Sequence, residues 1–79
     1  MRLDKFLKVS RLIKRRTVAN EACDAGRVSV NGRPVKAGYE VKVGDVISIS
    51  FGQKTVEAEV LDVQETVRKE NAGDLIRFL

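Results

Sequence analysis

At 79 residues and 8.8 kDa, with a net charge of +4 and a hydrophobic fraction of 43%, the chain has room for one domain around one modest core. No apolar run approaches the roughly 20 residues that cross a bilayer, a single cysteine excludes an internal disulfide, and the absence of histidine removes the commonest general base and metal ligand. The charge is unevenly shared: residues 1–36 carry ten Lys and Arg against three acids, a net of +7, whereas residues 37–79 carry five against eight, a net of −3.

Leu3, Phe6 and Leu7 recur at i, i+3 and i+4, which predicts a short amphipathic helix with Arg2, Asp4, Lys5 and Lys8 on its other faces. A link from Ser10 to Lys14 leads into a second helix over about Arg16 to Ala25. Ala19, Ala22 and Cys23 form its small-residue stripe, Val18 lies beside them, and Gly26 is the stop. No clear N-cap precedes Arg16, so an anion is a candidate partner for the free amide groups there. Cys23, on the small-residue stripe, reads as a core residue.

From Arg27 the period changes to two. Val28 and Val30 flank Ser29, and Asn31-Gly32 is a hairpin signal ahead of Arg33, Pro34 and Val35. After a turn at Val43-Gly44-Asp45, Ile47, Ile49 and Phe51 share one strand face and Ser48 and Ser50 the other, placing Val30, Ile47, Ile49 and Phe51 in the core. Gly52-Gln53 closes a hairpin into a strand over Thr55 to Val63, where Val56, Ala58 and Val60 alternate with a solvated face of Glu57 and Glu59. Arg68 to Ala72 reads as a helical turn, Leu75 to Leu79 as a last short strand, and Tyr39 as a loop aromatic packed against the sheet.

Seven of the first sixteen residues are basic, and only Asp4 opposes them. Such a lopsided patch is the electrostatic footprint of a polyanion, of which nucleic acid is the commonest. Arg2, Arg15 and Arg16 offer planar forks that fit phosphate oxygens and set register, whereas Lys5, Lys8, Arg11 and Lys14 supply distributed charge. The bland alternative for the run is a solvated face, and for Asp4 an interaction with the first helix's N-terminus or a pair with Lys8. Catalysis finds no support. The thiol lacks an imidazole partner, no cluster has metal-ligand spacing, no Gly-rich phosphate loop opens a helix, and the acids are scattered. The N-terminus is charged at once and lacks the apolar centre of a signal peptide, so the expected location is cytoplasmic.

Four segments in order carry a resemblance. Arg2-Leu3-Asp4-Lys5-Phe6-Leu7, Lys14-Arg15-Arg16-Thr17-Val18-Ala19, Gly26-Arg27-Val28-Ser29-Val30-Asn31-Gly32 and Val43-Gly44-Asp45-Val46-Ile47 resemble the RNA-binding domain named after small-subunit ribosomal protein S-four. The resemblance spans nearly the whole chain. It implies an α+β fold with the αL motif, two short N-terminal helices packed on a small, mostly antiparallel β-sheet, as a single domain over residues 1–79.

Within that group the chain is similar to the RqcP family of small stand-alone bacterial quality-control proteins. It lacks the first-helix tryptophans and long basic C-terminal tail usual in the related ribosome-associated heat-shock proteins. The similarity implies a noncatalytic adaptor that binds stalled large ribosomal subunits with peptidyl-tRNA and assists an RqcH-type tailing factor in adding C-terminal alanines. Its implied partners are large-subunit rRNA, peptidyl-tRNA, the large subunit and that factor, with no membrane, metal or cofactor, and a monomer off the ribosome. Arg2, Asp4 and Arg16 take, from the resemblance, the role of contacts to rRNA and tRNA; Lys5, Lys8, Arg11, Lys14 and Arg15 complete the expected RNA-binding set. The alternatives are a structural or assembly rRNA-binding protein, and the RNA-targeting module of an RNA-modifying enzyme, for whose catalytic domain 79 residues leave no room.

Overall fold

The computed structural model describes residues 1–64 and 75–79. Helix α1 (Leu3–Val9) buries Leu3, Phe6 and Leu7 completely, the stripe that the spacing predicts. Seven residues are too few for a helix to persist alone in water, so α1 depends on what it packs against. Helix α2 (Arg16–Asp24) buries Ala19 and Cys23, and its small stripe lets it lie against α1. It stops one residue before the expected Ala25, which is the cap. Gly26 follows at φ 75°, where its amide donates to the Cys23 carbonyl (3.1 Å) and the Arg27 amide donates to the Ala22 carbonyl (2.9 Å), the paired bonds of a Schellman motif. Burial pushes the Cys23 thiol up to about 11, with Asp4 and Asp24 adding to the shift, so it stays protonated as a core side chain.

Five strands follow: β1 (Val28–Val30), β2 (Arg33–Pro34), β3 (Val46–Phe51), β4 (Lys54–Val60) and β5 (Ile76–Phe78). They form one sheet in the order β2-β1-β3-β4-β5, with every neighbouring pair antiparallel. Asn31 and Gly32 both take positive φ, 53° and 83°, as a two-residue hairpin between Val30 and Arg33 requires. The Asn31 side chain does more than turn the chain. Its amide donates to Asp45 Oδ1 (3.1 Å) and its carbonyl oxygen accepts from the Val46 amide (3.0 Å), while the Tyr39 hydroxyl donates to Asp45 Oδ2 (3.1 Å). These bonds tie the β1–β2 turn to the segment entering β3.

Val28, Val30, Ile47, Ile49, Ala58, Val60 and Ile76 face the helices and form the core with Leu3, Phe6, Leu7, Ala19 and Cys23. On the opposite face Ser29 pairs with Ser48, Ser48 with Glu57, and Glu59 with Arg77. Glu57 is exposed, and Glu59 is half-buried in an ion pair with Arg77, so this is the solvated acidic face that the alternation predicts.

Phe51 corrects the expected core: it is 46% exposed. The phase is right but the position lies too far out. β1 pairs with β3 only as far as Ile49, and Phe51 sits opposite Lys54 at the overhanging end of the β3–β4 hairpin. There it borders an open groove with Val18, Ala22 and Ala25, which Glu21 and Arg27 also line. β4 ends at Val60 rather than Val63, and the last strand keeps three of the five expected residues, paired with β4. The helical turn expected over Arg68 to Ala72 lies outside the described residues.

Candidate nucleic-acid interface

The first residues are held by a distant loop. Arg2 and Glu40 form an isolated antiparallel backbone β-bridge, the Leu3 amide donates to the Tyr39 carbonyl (2.8 Å), the Asp4 amide to the Ala37 carbonyl (3.2 Å), and the Val41 amide to the Met1 carbonyl (2.9 Å). The terminal ammonium adds an ion pair to Glu40 at 2.6 Å. Arg2 therefore projects from a fixed backbone, although it is the second residue of the chain.

Asp4 is buried at 3% exposure, and its carboxylate gathers donors from both helices. It accepts from the Lys5 amide (2.8 Å), from Arg2 Nε and Nη2 (3.3 and 3.4 Å) and from Asn20 Nδ2 (3.3 Å), while Arg16 Nε lies 3.5 Å from Oδ2. Burial by itself would raise the Asp4 pKa. The hydrogen bonds from Asn20 and the Lys5 amide, and then the Arg16 guanidinium, outweigh that and hold the carboxyl below its ordinary value. The carboxylate is thus charged and fully engaged. Of the two pairings weighed from sequence, the helix-start interaction is present through Lys5, whereas the cationic partners are Arg2 and Arg16 in place of Lys8.

Both arginine side chains remain about half exposed, 54% for Arg2 and 46% for Arg16, so the pairs add little stability in water. Their geometric effect is larger. Arg16 comes nearest to Asp4 through its Nε, no hydrogen bond among the described residues engages its Nη groups, and Arg2 keeps Nη1.

Arg16 opens α2, and Arg15 occupies the cap position without a side-chain cap bond. The first turn holds no acid, and among the described residues nothing accepts from the Arg16, Thr17 and Val18 amides. Two cations at the positive end of a helix dipole are an unfavourable arrangement for the isolated protein and a favourable one for a bound anion.

The eight residues singled out by sequence thus fall into separate groups. Asp4 joins Arg2 and Arg16; Lys8, Arg11 and Lys14 together line a cleft beyond the end of α1; Arg15 stands exposed at the α2 cap; Lys5 is half-buried and gives Asp4 its backbone amide. Arg11 takes φ 64°, the left-handed conformation usually given to glycine at a helix end. Sequence reasoning missed Asn20, which reaches Asp4 from one turn beyond Arg16, and the carbonyls of Ala37 and Tyr39. The i, i+4 spacing of Arg16 and Asn20 was the only signal for the first. The loop carbonyls had none.

Fold and surface together define a class: the S4 domain family model matches residues 1–47, more than half of the chain, and the chain belongs to that family. More narrowly, it belongs with the proteins called RQC P-site tRNA stabilizing factor. It is 64% identical over 75 residues to the one from Halalkalibacterium halodurans, covering 95% of this chain and 85% of that protein. The Bacillus subtilis protein of the same name is 53% identical over 79 residues, 100% of this chain and 92% of its relative. Among solved structures, the trimeric Vibrio cholerae Heat Shock Protein 15 superposes with a TM-score of 0.92 at 28% identity, over 100% of this chain and 81% of that one.

Proposed function

We propose that this protein is a noncatalytic RNA-binding adaptor of ribosome-associated quality control. It binds stalled large ribosomal subunits that carry peptidyl-tRNA and assists an RqcH-type factor in adding C-terminal alanines to the nascent chain. The observation that carries the reading is the buried Asp4 carboxylate holding Arg2 and Arg16 together at the uncapped, acid-free start of α2. A phosphate there meets guanidinium donors and free amides at once. The names of the relatives, at 64% and 53% identity, supply the ribosomal context.

Residue roles follow from burial. Arg2, Arg15 and Arg16 are the phosphate contacts that fix register; Lys5, Lys8, Arg11 and Lys14 extend the field over neighbouring phosphates. Asp4, with its oxygens occupied, aims the arginines and does not itself meet RNA. Folded RNA hides its bases in a deep groove, so a rigid surface of this kind recognises backbone and shape. The protein acts as a single domain over residues 1–79, a monomer in the cytoplasm when off the ribosome.

The test uses stalled large subunits in a reconstituted alanine-tailing reaction. Charge-assisted hydrogen bonds contribute roughly 1.5 to 3 kcal/mol, so Arg16→Ala should bind about ten- to a hundredfold more weakly and fail to support tailing, with an unchanged melting curve. Arg77→Ala, on the acidic sheet face, is the control. An Arg16→Ala variant that binds and tails like this control overturns the reading. Equal capture of vacant subunits and of subunits bearing peptidyl-tRNA favours a structural rRNA-binding role instead.

A further inference from the structure

Among the described residues two carboxylates are buried, Asp4 at 3% exposure and Asp45 at 8%. Asp4 meets two arginines, whereas Asp45 has no ion-pair partner among the described residues. Its donors are neutral: the Asn31 side-chain amide on Oδ1 (3.1 Å), and the Tyr39 hydroxyl (3.1 Å) and the Lys42 backbone amide (3.0 Å) together on Oδ2. Taking a carboxylate out of water is costly, and neutral donors offset the cost only where the fold holds them in place. Closing the β1–β2 turn does not account for all three, since Tyr39 and Lys42 belong to a different segment.

That segment is the one that holds the first residues of the chain. Between Tyr39 and Lys42 lie Glu40, which forms the backbone bridge with Arg2, and Val41, whose amide donates to the Met1 carbonyl. The Tyr39 carbonyl accepts from the Leu3 amide, on the other side of Arg2. Arg2 is therefore gripped from both sides by a segment whose two ends meet on a single carboxylate oxygen. Ala37 and Val41 bury their side chains beneath it and set its depth. Apolar contact has no preferred direction, so the hydrogen bonds set its alignment.

We infer that Asp45, acting through the Tyr39 hydroxyl, is a positioning residue for RNA binding: it fixes the backbone from which Arg2 reaches phosphate. The inference rests on the RNA-binding reading above and adds a second control on the same arginine. Asp4 orients the guanidinium, and Asp45 aligns the segment that carries it. The two acids act in series, because the Asp4 amide itself donates to the Ala37 carbonyl of the same loop.

The experiment is a pair of double-mutant cycles, read as the affinity of the labelled full chain for large subunits bearing peptidyl-tRNA. Tyr39→Phe removes the hydroxyl and leaves the ring, so it tests the link without the risk to folding that Asp45→Ala carries. It should bind about three- to tenfold more weakly than the parent, the size of one hydrogen bond felt indirectly. In an Arg2→Ala background the same change should cost less than about twofold, because the group it positions is gone. In a Lys14→Ala background, in the cleft beyond α1, it should cost the full factor. A role in stability alone would weaken binding equally in both backgrounds. Hydrogen exchange gives a local readout: the Leu3 and Val41 amides should exchange faster in Tyr39→Phe, and the Ser50 amide, bonded to the Arg27 carbonyl at the other end of β3, should not change. The positioning role alone is overturned if Arg16→Ala and Lys14→Ala weaken binding while Tyr39→Phe does not, or if Tyr39→Phe costs as much without Arg2 as with it. Parent-like binding by both Arg16→Ala and Lys14→Ala overturns the RNA-binding reading, and the positioning role with it.

Discussion

The two helices begin with the same deficit and meet it in opposite ways. At the start of α1 the Leu3 and Asp4 amides donate to carbonyls of the Ala37–Tyr39 loop, and the Lys5 amide donates to the Asp4 side chain. At the start of α2 the Arg16, Thr17 and Val18 amides have no acceptor among the described residues, the cap residue is Arg15, and no acid offsets the dipole. The first helix is thereby completed by the protein's own chain, whereas the second keeps its first amides without an acceptor among the described residues. Asp4 connects them: it satisfies α1 with one oxygen and positions the arginine that opens α2 with the other. An unfavourable cluster of positive charge is thus held in place by a single buried carboxylate.

The comparison is most exposed to a salt series. If the open end of α2 and the basic residues around it neutralise about four to seven phosphates, log affinity for large subunits should fall against log salt with a slope of roughly −3 to −6. A titration of labelled protein onto subunits measures it. A flat response would mean that the positive end of α2 is only a solvated face.

A smaller effect, on stability, tests the completed end. Asp4→Asn should cost about 1 to 2 kcal/mol at neutral pH, because it replaces a charged acceptor that serves several donors with a neutral amide. The sign with pH follows from the lowered folded pKa of Asp4. Its contribution is fully present above about pH 4, the unfolded value, and fades as pH falls through the lower folded value. Denaturant melts should therefore show the parent losing its advantage over Asp4→Asn below about pH 4, and a constant difference down to pH 2 would break the assignment.

The smallest effect concerns strain. Arg11 sits at φ 64° in the cleft with Lys8 and Lys14, where glycine would be at ease. Arg11→Gly should raise stability by up to about 1 kcal/mol and weaken RNA binding severalfold. Tighter RNA binding by this variant would place the cleft outside the interface.

Much of this was legible in the chain before folding. The i, i+3, i+4 stripe of Leu3, Phe6 and Leu7, the Gly26 stop and the Asn31-Gly32 hairpin are local signals with local causes, and each falls where the periodicity puts it. The alternation in β3 and β4 likewise sets their buried face, because side chains in a strand must point to opposite sides. Phe51 marks the limit of that logic. Period two assigns a face, but whether anything covers the face depends on how far β1 and α2 reach, which no local pattern states.

The basic run and the missing cap of α2 were readable as composition and position, and so the polyanion reading was available from the sequence by itself. The grouping of those residues was not. Asp4 meets Asn20 sixteen positions away, and the α1 amides meet a loop more than thirty positions away, so these partners exist only once the chain closes on itself. Charge is a property of the side chain and survives unfolding, whereas the direction in which a guanidinium points depends on the carboxylate that faces it. The sequence determined how much positive charge this protein carries and near which end; tertiary packing decided that one buried aspartate would hold two of its arginines, and that the second helix would be left open.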